Sequence, residues 1–367
     1  MVVHQLKLPG LSLPEGIATR RDSPVPAELR DEEYHARYDG RTLLYDCFHD
    51  PARGGFVITA PAFRNLWPLF REGLRLDGKR TKVLRRAFGR SERLFIKGAE
   101  TATLTWEHEG QIHPIPTRAG IAPDFRDGRL ITAISRDNEL DWIAEWCRFH
   151  ARRHGATGAV LFDNGSTTYG PSDLAEVLRM TPGFRASAVV SVPFPYGYKL
   201  ITPEKAYRLQ FLQTAVMNLV RNDMASEADA VLSCDIDELV MGPAGASVFD
   251  AAHNWTGGLR IPGRWVYPDP DQPKPCSQHL HLNRPDPDRD CPTKWCARPK
   301  GWLSAFGGWN VHYYGGSLST LAPISDVFSL AHCAGTTTAW KDRSPRFDIP
   351  ERLVRDPDLA VAMEDAD

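Results

Sequence analysis

Residues 230–238 read Ala-Val-Leu-Ser-Cys-Asp-Ile-Asp-Glu, an apolar run that ends in two aspartates one residue apart. The run has the length and composition of a buried strand, so Asp235 and Asp237 are expected at its carboxyl end. Open α/β sheets bind ligands at that edge, and Mg²⁺ or Mn²⁺ is coordinated by carboxylate oxygens together with substrate phosphates. The stretch therefore predicts a divalent cation site and phosphate chemistry. A solvated acidic turn after a strand is the alternative.

The segments before residue 230 alternate between strand and helix patterns. Apolar runs predict strands at 130–134, 159–162 and 186–192, and helical spacing predicts helices at 138–154, 171–180 and 206–220. Gly155 is expected to end the first of these helices. This alternation predicts an α/β fold with a mostly parallel sheet.

Four regions are expected along the chain. Residues 1–35 are rich in proline and charge and read as a surface arm, and the short apolar runs within 36–126 predict a small β-rich domain. The main α/β domain is expected at 127–345. Residues 346–367 are expected to form a C-terminal tail.

The amino-acid composition indicates which binding partners and which cellular compartment to expect. A formal net charge of −2 over 367 residues gives no global basic field, so nucleic acid is not an expected partner. Arginines and lysines gather at 75–93, which leaves peripheral membrane contact open. Neither an export signal at the N-terminus nor a transmembrane segment is apparent, and seven scattered cysteines favour a reducing, cytoplasmic location. One Cys/His grouping matches no common zinc spacing: Cys276, His279, His281, Cys291 and Cys296.

Four segments in order carry a family resemblance. They are 135–139 (Ser-Arg-Asp-Asn-Glu) with the helix 142–150, then 162–166 (Phe-Asp-Asn-Gly-Ser), the 235–238 motif, and 294–299 (Lys-Trp-Cys-Ala-Arg-Pro) with His312 and His332. Together they resemble the A-type nucleotide-sugar glycosyltransferases, and family 92 in particular, over about residues 130 to 343. Two departures are Arg136-Asp137, where the family usually has a lysine, and Cys333, where a tyrosine commonly follows the histidine.

The resemblance implies an A-type glycosyltransferase fold and a hexosyltransferase activity. The expected reaction moves a sugar from a nucleotide-diphosphate sugar to a glycan, a polysaccharide or another hydroxyl acceptor, with inversion and with Mn²⁺ or Mg²⁺ as cofactor. Asp235 and Asp237 would bind the metal, and His332 is the expected third protein ligand because one acidic pair leaves the coordination shell open. His312 competes for that role and is preferred for the acceptor or diphosphate side.

The remaining site residues divide between the nucleotide and the acceptor. The donor is expected to contact seven residues, with the nucleoside nearest Asp163 and Glu139: Arg136, Asn138, Glu139, Asp163, Lys294, Arg298 and His312. Lys341 and Arg343 are further candidates for the diphosphate. Glu238 or Asp326 is the expected catalytic base, although Glu238, next to Asp237 in an extended segment, would point away from it.

Two other functions are compatible with parts of the sequence. A haloacid-dehalogenase-type phosphohydrolase also has Asp-x-Asp after an apolar strand, but it needs Thr or Val where Leu239 stands and a later paired-aspartate motif that the sequence lacks. The second is a non-catalytic carbohydrate-binding protein that keeps the fold. Activity assays with nucleotide sugars and with phosphate monoesters discriminate between the three.

Overall fold

The computed structural model describes residues 1–338, 340 and 349–364. The chain forms two compact units. The first unit comprises Met1–Leu6, Ala122–Val192 and the described residues from Met224 onward, and the second comprises Lys7–Ile121 and Pro193–Asp223. This division differs from the expected domains. The first six residues and the described part of the expected tail join the α/β unit, and residues 7–35 and Pro193–Asp223 join the β-rich unit.

The strands and helices are numbered in chain order. The strands are β1 (Val2–Lys7), β2 (Leu11–Ser12), β3 (Thr42–Leu44), β4 (Asp46–Asp50), β5 (Gly55–Pro61), β6 (Leu74–Leu76), β7 (Lys79–Arg80), β8 (Leu84–Ala87), β9 (Ser91–Lys97), β10 (Leu104–His108), β11 (Gln111–Pro114), β12 (Arg118–Ala119), β13 (Arg129–Ser135), β14 (Gly158–Asp163), β15 (Ala186–Ser191), β16 (Lys199–Ile201), β17 (Ala206–Arg208), β18 (Ala230–Ser233), β19 (Glu238–Met241), β20 (Gly258–Val266), β21 (Asn283–Pro285), β22 (Asp290–Ala297), β23 (Ser329–Cys333) and β24 (Leu353–Arg355). The α-helices are α1 (Glu32–Arg37), α2 (Leu66–Gly73), α3 (Leu140–His154), α4 (Pro171–Arg179), α5 (Phe211–Asn222), α6 (Val248–Ala251), α7 (Trp302–Phe306) and α8 (Pro357–Glu364).

The first unit is built on a nine-stranded sheet in the order β1-β15-β14-β13-β18-β22-β20-β23-β19. β15, β14, β13 and β18 run parallel, and β22 then pairs antiparallel with both β18 and β20. β20 and β23 are parallel, and β19 is antiparallel to β23. The predicted α/β class with a mostly parallel central sheet is therefore confirmed at the level of class.

The strand order reverses at β13. From β13 the chain moves outward to β14 and β15, whereas β18 lies on the other side of β13. At such a reversal the loops leaving two neighbouring parallel strands diverge and open a crevice at their carboxyl ends. Arg136 follows β13 and the 235–238 motif follows β18, so both border that crevice.

Helix α3 shows why the local predictions succeed. Trp142, Trp146 and Phe149 recur at helical spacing and are buried in the core of the first unit. The helix ends at Gly155, whose φ of 71° lies in the left-handed region that glycine adopts without strain. The predicted helix and its stop are confirmed.

Segments near both ends of the chain are part of the first unit, although a surface arm and a tail were expected there. β1 is an edge strand beside β15, so the first residues are not a free arm. Near the other end, α8 buries Leu359, Ala362 and Met363 in the core of the first unit. The described part of the expected C-terminal tail is thus an integral element. None of the described helices has the length and apolar character needed to cross a membrane.

The second unit contains a four-stranded sheet, β11-β10-β6-β7, and a five-stranded sheet, β12-β4-β5-β9-β8. A core that includes Phe56, Phe63, Phe70 and Trp106 confirms the predicted β-rich unit. The predicted helix at 206–220 was wrong at its start, because β17 pairs there with β16. The helix that follows is α5, which packs against β5 and β9.

Candidate functional site

Three carboxylates lie at the turn between β18 and β19. We call Asp235, Asp237 and Glu238 the acidic cluster. The N–H of Glu238 donates to the carbonyl of Asp235 at 3.1 Å, and Glu238 Oε2 accepts the N–H of Asp235 at 2.6 Å. These two bonds close the turn from both sides and fix the backbone from which the aspartate side chains project.

Lys294 neutralises part of the acidic cluster. It lies on β22, where Trp295 is the partner of Ser233 on β18, and this register puts its side chain beside the turn. Its Nζ is 2.5 Å from Asp235 Oδ2 and 2.9 Å from Glu238 Oε2. Burial opposes the charge, but the two carboxylates outweigh it and raise the pKa of Lys294 above its ordinary value. Lys294 therefore balances the charge of the cluster, and its side-chain exposure of only 1% does not favour the predicted contact with the diphosphate.

His332 approaches the cluster from the opposite side. β23 pairs with β19 so that His332 is the partner of Glu238. Its Nε2 is 3.2 Å from Asp237 Oδ2, and its ring stacks on Trp265 with centroids 3.9 Å apart. Burial lowers the pKa of His332, but the neighbouring Asp237 carboxylate raises it to about 10. The expected third ligand thus lies next to one of the two expected carboxylate ligands.

The donor set suits a divalent cation in part. Asp237 Oδ2 and His332 Nε2 are adjacent oxygen and nitrogen donors, which Mn²⁺ accepts. Asp235 faces Lys294, and its side chain keeps 23% of its surface exposed. Among the residues that the structure describes, no group of three His, Cys, Asp or Glu side chains is arranged as a metal site. The fit therefore rests on the Asp237 and His332 pair, with Asp235 close by.

The loop after β13 is held by its own side chains. Asp137 has a φ of 53°, and its carboxylate accepts the N–H groups of Thr167 and Thr168 at 2.6 and 3.2 Å. The Asn138 amide donates to Ser135 Oγ at 2.8 Å and is buried, so it shapes the loop.

The two other predicted residues of this loop face solvent. Arg136 and Glu139 are exposed, and Glu139 is the N-cap residue of α3. The Arg136 carbonyl accepts the hydroxyl of Thr338 at 3.1 Å, so the segment after β23 lies beside this loop. Both exposed side chains are available to a ligand in the crevice.

Asp163 ends the neighbouring strand β14. Its Oδ1 accepts both the N–H and the hydroxyl of Ser166, at 3.1 and 2.5 Å, and the side chain is buried. The N–H of Asn164 donates to the carbonyl of Ser135 at 2.9 Å, which ties the ends of β13 and β14 together. These contacts fit the turn interpretation of Asp163 and place it at the same sheet edge as the acidic cluster.

Two predicted residues lie away from the cluster. Arg298 follows the end of β22 that pairs with the start of β18, and its Nε is 3.8 Å from Asp229. Asp326 is exposed and precedes β23 by three residues, whereas His332 lies near the end of that strand. At about 3.3 Å per strand residue, the four residues from Lys294 to Arg298 put Arg298 roughly 13 Å from the cluster. Asp326 lies six residues before His332, and the first three of these precede the strand. These positions do not favour the predicted diphosphate role of Arg298 or the predicted base role of Asp326.

The other expected base, Glu238, is also in the wrong environment for that role. Its side chain is 2% exposed and its Oε2 is occupied by Lys294 and by the Asp235 N–H. Burial raises the pKa of its carboxyl group above the usual range, against the lowering effect of Lys294. Glu238 thus stabilises the turn through these contacts, and its burial does not favour the predicted role as the base. Lys341 and Arg343 lie outside the described residues.

His312 lies near the acidic cluster. Its Nδ1 is 3.2 Å from the carbonyl of Thr293, the residue before Lys294. One residue of the Cys/His grouping noted in the sequence is held by backbone groups. His281 has Nδ1 against the Ser277 carbonyl at 2.9 Å and Nε2 accepting the N–H of Gly335 at 2.8 Å, so both ring nitrogens are engaged.

One buried side chain that the sequence did not single out supports the turn. The Gln278 amide donates to the Ile236 carbonyl at 2.7 Å and to the Trp142 carbonyl at 3.1 Å. It thereby fixes the residue between the two aspartates to helix α3. A lone glutamine in a loop carries no sequence pattern that would reveal this contact.

Neither a search against protein-family models nor a search of curated proteins gives a match to this chain. The geometry of the site consequently carries the functional argument.

Proposed function

We propose that this protein transfers a sugar from a nucleotide-diphosphate sugar to a hydroxyl acceptor such as a glycan, with a divalent metal cofactor and an A-type glycosyltransferase fold. The observation that carries the proposal is the position of Asp237 and His332. They form an oxygen and nitrogen donor pair beside Asp235, at the carboxyl edge of the sheet and next to its strand-order reversal. Mn²⁺ or Mg²⁺ held there would supply positive charge to the departing diphosphate.

The residues around the crevice have distinct parts in this proposal. Asp235, Asp237 and His332 hold the metal, while Lys294 and Glu238 keep the carboxylates in place. Exposed Arg136 and Glu139 and the nearby Asp163 line the expected nucleotide side. Inversion stays a prediction, checked by the anomeric configuration of the first product in an NMR time course.

A panel of nucleotide sugars, assayed with and without Mn²⁺, tests the proposal. Metal-dependent release of nucleoside diphosphate is the expected result. Release of phosphate from simple monoesters would instead identify a phosphohydrolase. Glycan binding with neither activity would identify a carbohydrate-binding protein.

We expect Asp163→Ala to weaken binding of the free nucleoside diphosphate by about tenfold, the scale of one lost hydrogen bond to a charged group. The metal dependence should stay unchanged because Asp163 is not a ligand of the cation. Calorimetric titration measures both quantities. Ser166→Ala is the matched control, since it removes the hydroxyl bond to Asp163 but keeps the backbone N–H bond and the carboxylate. Equal weakening in both variants would assign Asp163 to the turn alone.

We expect His332→Ala to raise the Mn²⁺ concentration needed for half-maximal activity, because one ligand is lost and the carboxylates remain. His312→Ala should lower turnover at saturating metal and leave that midpoint in place. Metal titrations of both variants decide between the histidines. A shifted midpoint in the His312 variant alone would show that the two roles are reversed.

A further inference from the structure

Four arginines gather in the second unit, whereas the residues of the proposed transferase site belong to the first. Arg86 on β8 and Arg93 on β9 are direct cross-strand partners. The guanidinium carbons of Arg86 and Arg221 both lie over the ring of Phe88, at 5.4 and 5.7 Å from its centroid. Arg53, in the turn before β5, acts electrostatically on both Arg93 and Arg221. We call these four side chains the arginine cluster.

The arginine cluster is costly as it stands. Like charges directly opposite each other on neighbouring strands are destabilising, and Arg221 at the end of α5 is also buried. Burial and the neighbouring arginines lower the pKa of Arg93 to about 10 and that of Arg221 to about 9. Arg53, the exposed member of the cluster, has a carboxylate neighbour, since its Nε is 3.4 Å from Asp50 Oδ2.

Two buried donors at the cluster lack acceptors. Among the residues that the structure describes, neither Arg221 Nη1 nor Asn222 Nδ2 has a hydrogen-bond partner, and both atoms are shielded from solvent. Asn222 and Arg221 are 2% and 8% exposed. Arg93 Nη1 donates to Asn222 Oδ1 at 3.1 Å, so the Asn222 amide is held within the cluster. A buried donor without an acceptor is rare and costs the desolvation free energy of that group.

We propose that the arginine cluster and Asn222 bind a phosphate group, either free or as an ester. A phosphate supplies acceptor oxygens in several directions and close to two negative charges, whereas a carboxylate supplies two oxygens and one charge. The guanidinium fork matches phosphate oxygens in pairs. Arg53 is exposed, Arg86 and Arg93 are half-buried and Arg221 is buried, so the charges lead inward from solvent.

Titration of the full-length protein with inorganic phosphate in Tris-chloride buffer tests this site without nucleotide sugar or metal. Wild-type protein should bind phosphate and melt at a higher temperature in its presence. Arg221→Met should weaken phosphate binding at least tenfold and lose most of that thermal shift. In phosphate-free buffer Arg221→Met should melt no lower than wild type, because it removes an uncompensated buried charge. A purely structural Arg221 would give the opposite, a lower melting temperature with or without phosphate.

Arg90→Gln is the charge-matched control. Arg90 lies in the same β8–β9 hairpin and donates to the neutral Gln210 Oε1 at 2.9 Å, so its loss leaves no buried charge. Phosphate binding should be unchanged in this variant. If Arg221→Met does not fold, half-buried Arg93→Gln provides the same binding readout.

The source of the phosphate group is distinguished with vesicles. Wild-type protein that sediments with phosphatidylcholine vesicles containing phosphatidic acid supports a lipid phosphate ester. In that case Arg221→Met should not sediment with these vesicles, and wild-type protein should not sediment with vesicles of phosphatidylcholine alone. Binding of inorganic phosphate without sedimentation supports a soluble phosphate. Equal phosphate affinity in wild type and Arg221→Met, or neither phosphate nor vesicle binding by wild type, overturns the proposal.

Discussion

Asp237→Asn is expected to reduce metal-dependent sugar transfer by more than about 100-fold, the scale of losing a main electrostatic stabiliser of the leaving group. The amide keeps the size and shape of the side chain, but it removes the anionic oxygen that lies 3.2 Å from His332 Nε2. Turnover at saturating Mn²⁺ with the best donor of the panel is the measurement. Circular dichroism and a melting curve close to wild type would show that the fold persists.

Asp326→Asn is the matched control for this substitution. It makes the same chemical change at an exposed aspartate that lies at the far edge of the sheet from the acidic cluster. Activity should stay near that of wild type. Near-normal turnover in the Asp237 variant would remove Asp237 from the metal site, and a large loss in the Asp326 variant would restore Asp326 as a candidate base.

Lys294→Met is expected to destabilise the first unit by about 3 kcal/mol, the lower end of the range for breaking a buried ion pair. The ammonium is the shared partner of Asp235 and Glu238, and without it the buried Glu238 carboxylate keeps only His332 as a cationic neighbour, with His332 Nδ1 3.5 Å from its Oε1. The lower end applies because Asp235 retains some exposure to solvent. Chemical denaturation, read as the midpoint of the unfolding transition, gives the free energy.

The double variant Lys294→Met with Glu238→Gln tests the reason for that loss. Removing the lysine and one carboxylate together should destabilise the protein less than removing the lysine alone, because fewer buried charges are left uncompensated. The interaction free energy from the complete mutant cycle should exceed about 1 kcal/mol. Additive effects would show that the three side chains do not balance one another.

Contiguous apolar runs made the parallel part of the sheet predictable. β13, β14 and β18 are such runs, and strands of a parallel sheet are buried on both faces. The aspartates at their ends were consequently placed at the correct edge. β1 was missed because its pairing depends on β15, about 180 residues away in the sequence, which no local pattern reveals.

Strand direction explains the errors in the site. Lys294 and Arg298 are close in sequence and looked equivalent, but β22 runs antiparallel to β18. The middle of β22 therefore brings Lys294 to the acidic cluster, and its C-terminal end leads Arg298 towards the start of β18. β23 separates Asp326 from His332 in the same way. The direction of a strand in a mixed sheet, parallel or antiparallel to its neighbour, depends on the connections between elements. The residues of the strand itself do not encode it.

The interleaving of the two units sets the order in which they can be completed during synthesis on the ribosome. Strands β5 and β9 emerge early, but they lack their packing partner α5 until residue 222 has been made. By then β13, β14 and β15 have already emerged, and β18 is the next strand of the large sheet to follow. The second unit is thus complete once residue 223 has been made, whereas the first still needs β18 and the elements that follow it, as far as α8. Cleavage between residues 121 and 122 would deprive one fragment of α5 and the other of β1.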